Sequence, residues 1–185
     1  HFHTDHTTVP AQLLENEDIV IENLYYDFPT SQMVKDLSGD SDYPFCDKFK
    51  DLVKNNPQKV KKVIKPHYKD EYKLGEYVTM KVLNNAWYTE RNGNYGNNSG
   101  IMFKMETPGE SVLFTGDMGD RGDVYLKDEW TKKEIESCTI IQMAHHGQHG
   151  TSDSFYNAIK DIKVCFYPAV DWVYDNDNGS GVNTA

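Results

Sequence analysis

The stretch His1-Phe2-His3-Thr4-Asp5-His6 carries three imidazoles and one carboxylate on neighbouring residues. In an extended segment the side chains of residues i and i+2 point to the same side, so His1 and His3 can reach one ion together. A turn after His3 would bring Asp5 and His6 towards a second position nearby. Imidazole and carboxylate are ligands that zinc and similar divalent ions prefer. The pattern therefore predicts a metal site rather than a surface run of histidines.

A second histidine cluster, His145-His146-Gly147-Gln148-His149, lies far along the chain. It follows a predicted strand over residues 138–143, and a second predicted strand over residues 111–115 ends at Gly116-Asp117. Loops that follow strand ends can converge on one edge of a layered α/β protein. The sequence therefore predicts that the separated clusters contribute to one shared site.

The motifs resemble those of a known superfamily. The pattern His-x-His-x-Asp-His at residues 1–6 resembles the metal-binding signature of the metallo-β-lactamase superfamily. Val112-Leu113-Phe114-Thr115-Gly116-Asp117 resembles its strand ending in a metal-bridging aspartate, and Met143-Ala144-His145-His146-Gly147 resembles its late histidine motif. With Asn97-Asn98-Ser99 preceding them, the paired histidines are most similar to the branch containing the extracellular hydrolase domain of ComEC-type DNA-uptake proteins. The resemblance spans nearly the whole chain.

The resemblance implies an α/β fold, the metallo-β-lactamase αββα sandwich, with residues 1–185 forming a single domain. A length of 185 residues suits one domain with a substantial core. In the superfamily several strands precede the histidine signature, which here begins at His1. We therefore expect the N-terminal strands to be missing from this chain, with part of the C-terminal region as a further candidate.

The resemblance also implies a dinuclear metal centre. Its expected ligands are His1 and His3 on one ion, Asp5, His6 and His145 on the second, and Asp117 bridging both. The expected cofactors are two divalent ions, with zinc first and manganese or iron as alternatives. Many members of the superfamily add a histidine to the first ion, but the corresponding position falls near Asn97-Asn98-Ser99, which offers no imidazole. His67 is interpreted as a loop residue.

The expected catalytic residues are Asp5, Asp117 and His146. We interpret His146 as a proton donor to the leaving group or a ligand of a substrate oxyanion, although either His145 or His146 can be the metal ligand. His149 has no assigned role. Asn98 and Ser99 are candidates for orienting the substrate, and a turn-forming role explains them as well.

Hydrophobic periodicity predicts alternating strands and helices along the chain, which favours layered α/β packing. The predicted strands are residues 18–26, 60–64, 78–83, 101–105, 111–115, 138–143 and 164–167, and the predicted helices are residues 30–37, 42–54, 128–136 and 152–162. Residues 84–100 are rich in Asn and Gly and predict a loop. Cys138 and Cys165 lie in apolar runs and predict buried thiols.

The net charge bears on possible partners. Twenty-nine acidic against 19 basic residues give a formal charge of −10, which repels polyanions. The candidate basic path consists of Lys59, Lys61, Lys62, Lys65 and Lys69. Nucleic acid is therefore disfavoured, and the expected partner is a small-molecule or phosphodiester substrate. No segment of the sequence approaches the roughly 18 apolar residues that a membrane helix requires.

The sequence thus predicts a dinuclear metal-dependent hydrolase with phosphodiesterase or nuclease-like activity. The same metal-activated water could instead open a lactam, a lactone or a thioester. A non-catalytic binding module that keeps the fold is the alternative from a different class of protein.

Overall fold

The structure is a computed structural model that describes residues 1–37, 43–85, 95–119 and 122–175. It consists of two compact units: the first comprises His1–Pro66 and Ala86–Ser99, and the second comprises His67–Asn85 and Gly100–Ala185. Each unit contains both helices and strands, which confirms the mixed α/β class. That residues 1–185 form a single domain stays a prediction.

The first unit builds helices against a short parallel sheet. Its described elements are α1 (Thr4–Glu15), β1 (Ile21–Tyr25), α2 (Ser31–Leu37), α3 (Pro44–Asn55), β2 (Val60–Ile64) and α4 (Tyr95–Asn98). β1 and β2 pair in parallel, with Ile21 opposite Val60. The predicted apolar face of α3 buries Phe49 and Val53, which pack with Leu14 of α1 and Val60 of β2.

The second unit is built on a mixed sheet. Its described elements are β3 (Glu71–Lys73), β4 (Thr79–Val82), β5 (Phe103–Glu106), β6 (Ser111–Phe114), α5 (Gly122–Tyr125), α6 (Glu129–Glu136), β7 (Ile140–Gln142), α7 (Asp153–Asn157), β8 (Val164–Phe166) and α8 (Asp171–Tyr174), with a 3-10 turn at Ala144–Gly147. Among these residues the strand order is β3-β4-β5-β6-β7-β8. β3 to β6 are antiparallel neighbours, whereas β6, β7 and β8 run parallel.

The structure differs from the sequence predictions at several elements. α7 ends at Asn157, short of the predicted residue 162, because Ala158 and Ile159 continue in turns whose N–H groups donate three residues back. The predicted loop over residues 84–100 contains α4, and residues 86–94 of it lie outside the described part of the chain. The prediction that Cys165 is buried is wrong, since it lies on β8, whose residues are exposed, whereas Cys138 is buried as predicted.

An ionic network around the buried Lys104 links the sheet of the second unit to α6. Lys81 and Lys104 lie directly opposite each other on β4 and β5, an arrangement of like charges that is unfavourable alone. Glu134 of α6 accepts from both ammonium groups, at 3.0 Å from Lys81 and 2.9 Å from Lys104. Glu106 lies 2.9 Å and 2.7 Å from the same two nitrogens. The network therefore balances two cations with two carboxylates.

Loss of one cation should destabilise this unit. Replacing Lys104, whose side chain is 3% exposed, by Ala leaves both carboxylates facing Lys81 alone. We expect Lys104→Ala to lower the free energy of unfolding by roughly 2–3 kcal/mol, less than for a fully buried ion pair, because the charges left on Glu134 and Glu106 are partly exposed. Urea denaturation of the full chain measures the loss. Lys160→Ala, which removes an exposed pair with Glu136, is the matched control and should change stability far less; equal losses would contradict the prediction.

The network should also give stability a defined pH dependence. Burial alone would raise the pKa of Glu106, but hydrogen bonds from Lys104 and Lys81 outweigh it and hold the pKa below its ordinary value of 4.5. The stabilisation is therefore present above pH 4.5 and is lost as the pH falls through the lower pKa of the folded state. We expect the difference in unfolding free energy between the wild type and Glu106→Gln to shrink from about pH 6 to about pH 3. A constant difference would be inconsistent with a lowered pKa.

Candidate metal centre

Phe2 anchors the histidine-rich segment of the first unit. Its ring is fully buried against Val34, Cys46 and Tyr95. The rings of both neighbouring histidines pack edge-on around that of Phe2, with the centroid of His3 5.1 Å and that of His1 6.5 Å from the centroid of Phe2. The two imidazole rings lie with their centroids 4.5 Å apart, as the i, i+2 spacing predicts.

The chain turns directly after His3, where α1 begins. The carbonyl of His3 accepts the backbone N–H groups of His6 and Thr7, both at 3.1 Å. The first turn of the helix carries Asp5, a position at which the helix dipole favours a carboxylate. The ring of His6 lies with its centroid 4.1 Å from that of His1. The helix start thus gathers the four polar residues of the opening motif.

Three of these residues form a donor set that fits a divalent metal. His1, His3 and Asp5 each offer one ligand atom, and these atoms lie within 4.8 Å of one another. The ligand atoms of a tetrahedral zinc lie roughly 3.4 Å apart, so small side-chain rotations would complete the geometry. Two imidazole nitrogens and a carboxylate oxygen also match the ligand preference of zinc. The side chain of Asp5 is 55% exposed, so this member of the set is open to solvent, whereas both ring nitrogens of His1 are buried.

In the second unit, β6 and β7 are parallel neighbours. The predicted motifs that contain Asp117 and His146 follow these strands at one edge of the sheet. Val112 lies opposite Ile140 and Leu113 opposite Ile141, so the strands end side by side. The Thr115 hydroxyl donates to the carbonyl of Gln142 at 2.9 Å. The segments that continue to Asp117 and to His146 therefore emerge together, as the sequence predicts for strand ends.

Asp117 and His146 meet at this edge. The Nε2 atom of His146 lies 3.4 Å from Oδ2 of Asp117, which is only 2% exposed. The Nδ1 atom of His146 lies 2.7 Å from the carbonyl oxygen of Pro168. A carbonyl only accepts, so this bond assigns the proton to Nδ1 and leaves Nε2 as the nitrogen that can bind a metal.

His145 is anchored differently. Its backbone N–H donates to the carbonyl of Gly116 at 3.0 Å, and its ring centroid lies 6.1 Å from that of His146. The position of His146 beside Asp117 makes it the stronger candidate of the two for a ligand. The expectations that His145 binds metal and that His146 donates a proton stay predictions.

The remaining candidate residues have simpler surroundings. Asn98 and Ser99 are 4% and 1% exposed, and the Ser99 hydroxyl donates to the carbonyl of Gly96 at 2.7 Å, closing α4. This contact fits a structural role, and substrate binding stays a prediction. His67 is exposed in a turn, where its N–H donates to Asp70, as expected for a loop residue. His149 is also exposed.

Sequence reasoning did not identify the supporting residues. The position of Phe2 between two histidines was the sequence signal that could have identified it as the buried anchor of the first cluster. The carbonyl of Pro168 and the hydroxyl of Tyr156, which accepts the N–H of Ala144 at 3.1 Å, had no comparable signal, because their partners are distant in sequence.

The sequence matches no protein-family model and no curated protein. Among solved structures, the chain is similar to Zn(2+)-bound PqqB from Methylobacterium extorquens, with a TM-score of 0.40 and 11% identity over 77% of this chain. The chain spans 38% of the length of that PqqB chain. A similarity at this TM-score does not establish a shared fold.

The role of Phe2 can be tested directly. We expect Phe2→Ala to lower the free energy of unfolding by about 3–5 kcal/mol, because it opens a cavity beside Val34, Cys46 and Tyr95. It should also weaken zinc binding, measured by competition with a chromophoric chelator, since His1 and His3 lose their common orientation. Phe2→Leu should retain most of both properties. Unchanged zinc affinity in a folded Phe2→Ala variant would contradict the anchoring role.

Proposed function

We propose that this protein is a metal-dependent hydrolase of the metallo-β-lactamase type. The observation that carries the proposal is the gathering of ligand atoms from His1, His3 and Asp5 within 4.8 Å of one another. The contact between Asp117 and His146 supports it, because both belong to motifs that resemble that superfamily. The αββα sandwich and the ComEC-type branch form part of the same proposal.

For the active site we propose the ligand set that the resemblance implies. It comprises two divalent ions and the ligands His1, His3, Asp5, His6, Asp117 and His145, with His146 as the alternative to His145. Zinc is the first choice because the set is rich in imidazole and is completed by carboxylates, both of which zinc binds. Manganese or iron are the alternatives.

The chemistry follows from the types of residue in the set. Divalent ions, when bound, lower the pKa of water and stabilise negative charge on the attacked phosphorus or carbonyl group. The rings of His1 and His3 lie with their centroids 4.5 Å apart beside the buried ring of Phe2. Asp117 is suited to bridging, since one carboxylate has two oxygens. His146, oriented by the carbonyl of Pro168, presents Nε2 to bind or to exchange a proton.

The charge distribution favours a small substrate over nucleic acid. In the first unit, three lysines of the candidate basic path make intramolecular contacts: Lys59 donates to the carbonyls of Asn16 and Glu17, Lys61 pairs with Glu22, and Lys65 pairs with Asp27 at 3.0 Å. These contacts, with the net charge of −10, weaken attraction for a polyanion. We therefore propose a small phosphodiester as the substrate, with lactams, lactones and thioesters as the second class.

In the part of the chain that the structure describes, no helix combines the length and apolar character that crossing a membrane requires.

The proposal is tested by metal content and turnover of the same preparations. The full chain, stripped of metal and reloaded with zinc or manganese, should bind two ions and hydrolyse bis(p-nitrophenyl) phosphate. We expect His3→Ala and Asp117→Ala to lose more metal affinity than the about 10- to 100-fold that loss of an outer contact of a ligand costs, and to lose turnover with it, because each removes a proposed ligand. Elemental analysis and release of p-nitrophenolate are the two measurements.

Matched controls exist among the other histidines. His67→Ala and His149→Ala each remove an exposed imidazole and should leave metal content and turnover unchanged. A chain that retains no metal under replete conditions would be the non-catalytic binding module instead. Hydrolysis of a lactam, lactone or thioester with a kcat/KM far above that for the phosphodiester would reassign the substrate but keep the reaction type.

A further inference from the structure

The loop that carries His145 and His146 has an unusual backbone. Both residues have left-handed conformations, with φ of 51° and 56°, and Gly147 follows with φ of 85°. Residues other than glycine adopt this region at a cost, because Cβ approaches the following carbonyl oxygen. Such a conformation persists when surrounding contacts determine it.

Backbone contacts hold the middle and the end of this loop. The N–H of His145 donates to Gly116 at 3.0 Å, and the N–H of Gln148 donates to the carbonyl of His145 at 2.7 Å. The ring of His146 is held through Nδ1 by the carbonyl of Pro168. The position of that ring also depends on the position of Ala144, the residue at which the backbone enters the loop.

The entry point is held by a side chain from another element. The hydroxyl of Tyr156, on α7, accepts the backbone N–H of Ala144 at 3.1 Å. Ala144 is completely buried, so water cannot readily replace this acceptor. Burial also raises the pKa of Tyr156, and the phenol therefore stays protonated and neutral at ordinary pH. The contact lies two residues before His146 and immediately before the first left-handed residue.

We propose that Tyr156 is a positioning residue for the loop that carries His145 and His146. Through its hydrogen bond with Ala144, Tyr156 determines where the ring of His146 lies. This inference deepens the proposed function and rests on it, since it gives His146 the role of a metal ligand. Tyr156 itself touches neither metal nor substrate in this role.

The test removes a single oxygen atom, that of the Tyr156 hydroxyl. Tyr156→Phe keeps the ring and removes the hydroxyl that accepts from Ala144. Tyr156 and Tyr167 both line one cleft of 420 Å³, so Tyr167→Phe, which removes a hydroxyl from the second tyrosine, is the matched control. We expect Tyr156→Phe to weaken zinc binding by roughly 10-fold, the lower end of the effect of losing an outer contact of a metal ligand. Tyr167→Phe should bind zinc as the wild type does. Equal affinity of all three proteins would overturn the proposal.

A thermodynamic cycle separates positioning from general loss of structure. In a His146→Ala background, adding Tyr156→Phe should change zinc affinity no further, because the residue that it positions is gone. If Tyr156→Phe costs the same factor with and without His146, the tyrosine acts on the whole fold and the proposal fails.

A metal-free measurement distinguishes this failure from failure of the proposed function. In the protein without metal, Tyr156→Phe should speed amide hydrogen exchange at Ala144 and shift the NMR signals of the His146 ring, while Tyr167→Phe leaves both as in the wild type. If zinc does not bind but these signals change as described, the positioning holds and the metal function is wrong. If the signals do not change, Tyr156 does not position the loop.

Discussion

The parallel pairing of β6 with β7 is the constraint on which the Asp117 and His146 contact depends. Two parallel neighbours end at the same edge of a sheet, so the segments that follow them leave side by side. Contacts from Thr115 to Gln142 and from His145 to Gly116 tie the two ends together. Antiparallel pairing would have sent the two motifs to opposite edges, and neither motif could then have reached the other.

In the first unit, burial of one aromatic ring has a comparable effect. Burying a phenylalanine stabilises a fold by about 1.5–3 kcal/mol, which offsets the backbone entropy of about one or two ordered residues. The ring of His3 packs edge-on against that of Phe2, with centroids 5.1 Å apart, and the ring of His1 lies 4.5 Å from that of His3. The start of α1 immediately afterwards adds Asp5 and His6. A hydrophobic contact therefore organises a polar cluster.

In the loop that carries His145 and His146, the conformational cost of the left-handed residues is close to the stabilisation that the hydrogen bonds provide. Two left-handed residues cost roughly 1–2 kcal/mol each, while a hydrogen bond contributes about 0.5–1.5 kcal/mol net. The backbone bonds of His145 and Gln148 thus offset the cost only in part. Side-chain contacts from outside the loop, such as that of Tyr156, have a correspondingly large influence on where His146 lies.

The sequence by itself determined the mixed α/β class, the bounds of β2 and, to within a few residues, those of α3 and β6, because local periodicity reports which side chains a strand or helix buries. The crowding of histidines selected both clusters, while Asp117 was selected from the resemblance of its motif to that of the metallo-β-lactamase superfamily. Sequence reasoning missed α1, whose threonines and Pro10 are poor helix formers, and the short α4. Only the tertiary structure decided that His146 lies beside Asp117 and that Tyr156 and Pro168 hold its loop. These contacts join residues far apart in the chain. A local sequence pattern does not predict which distant residues meet.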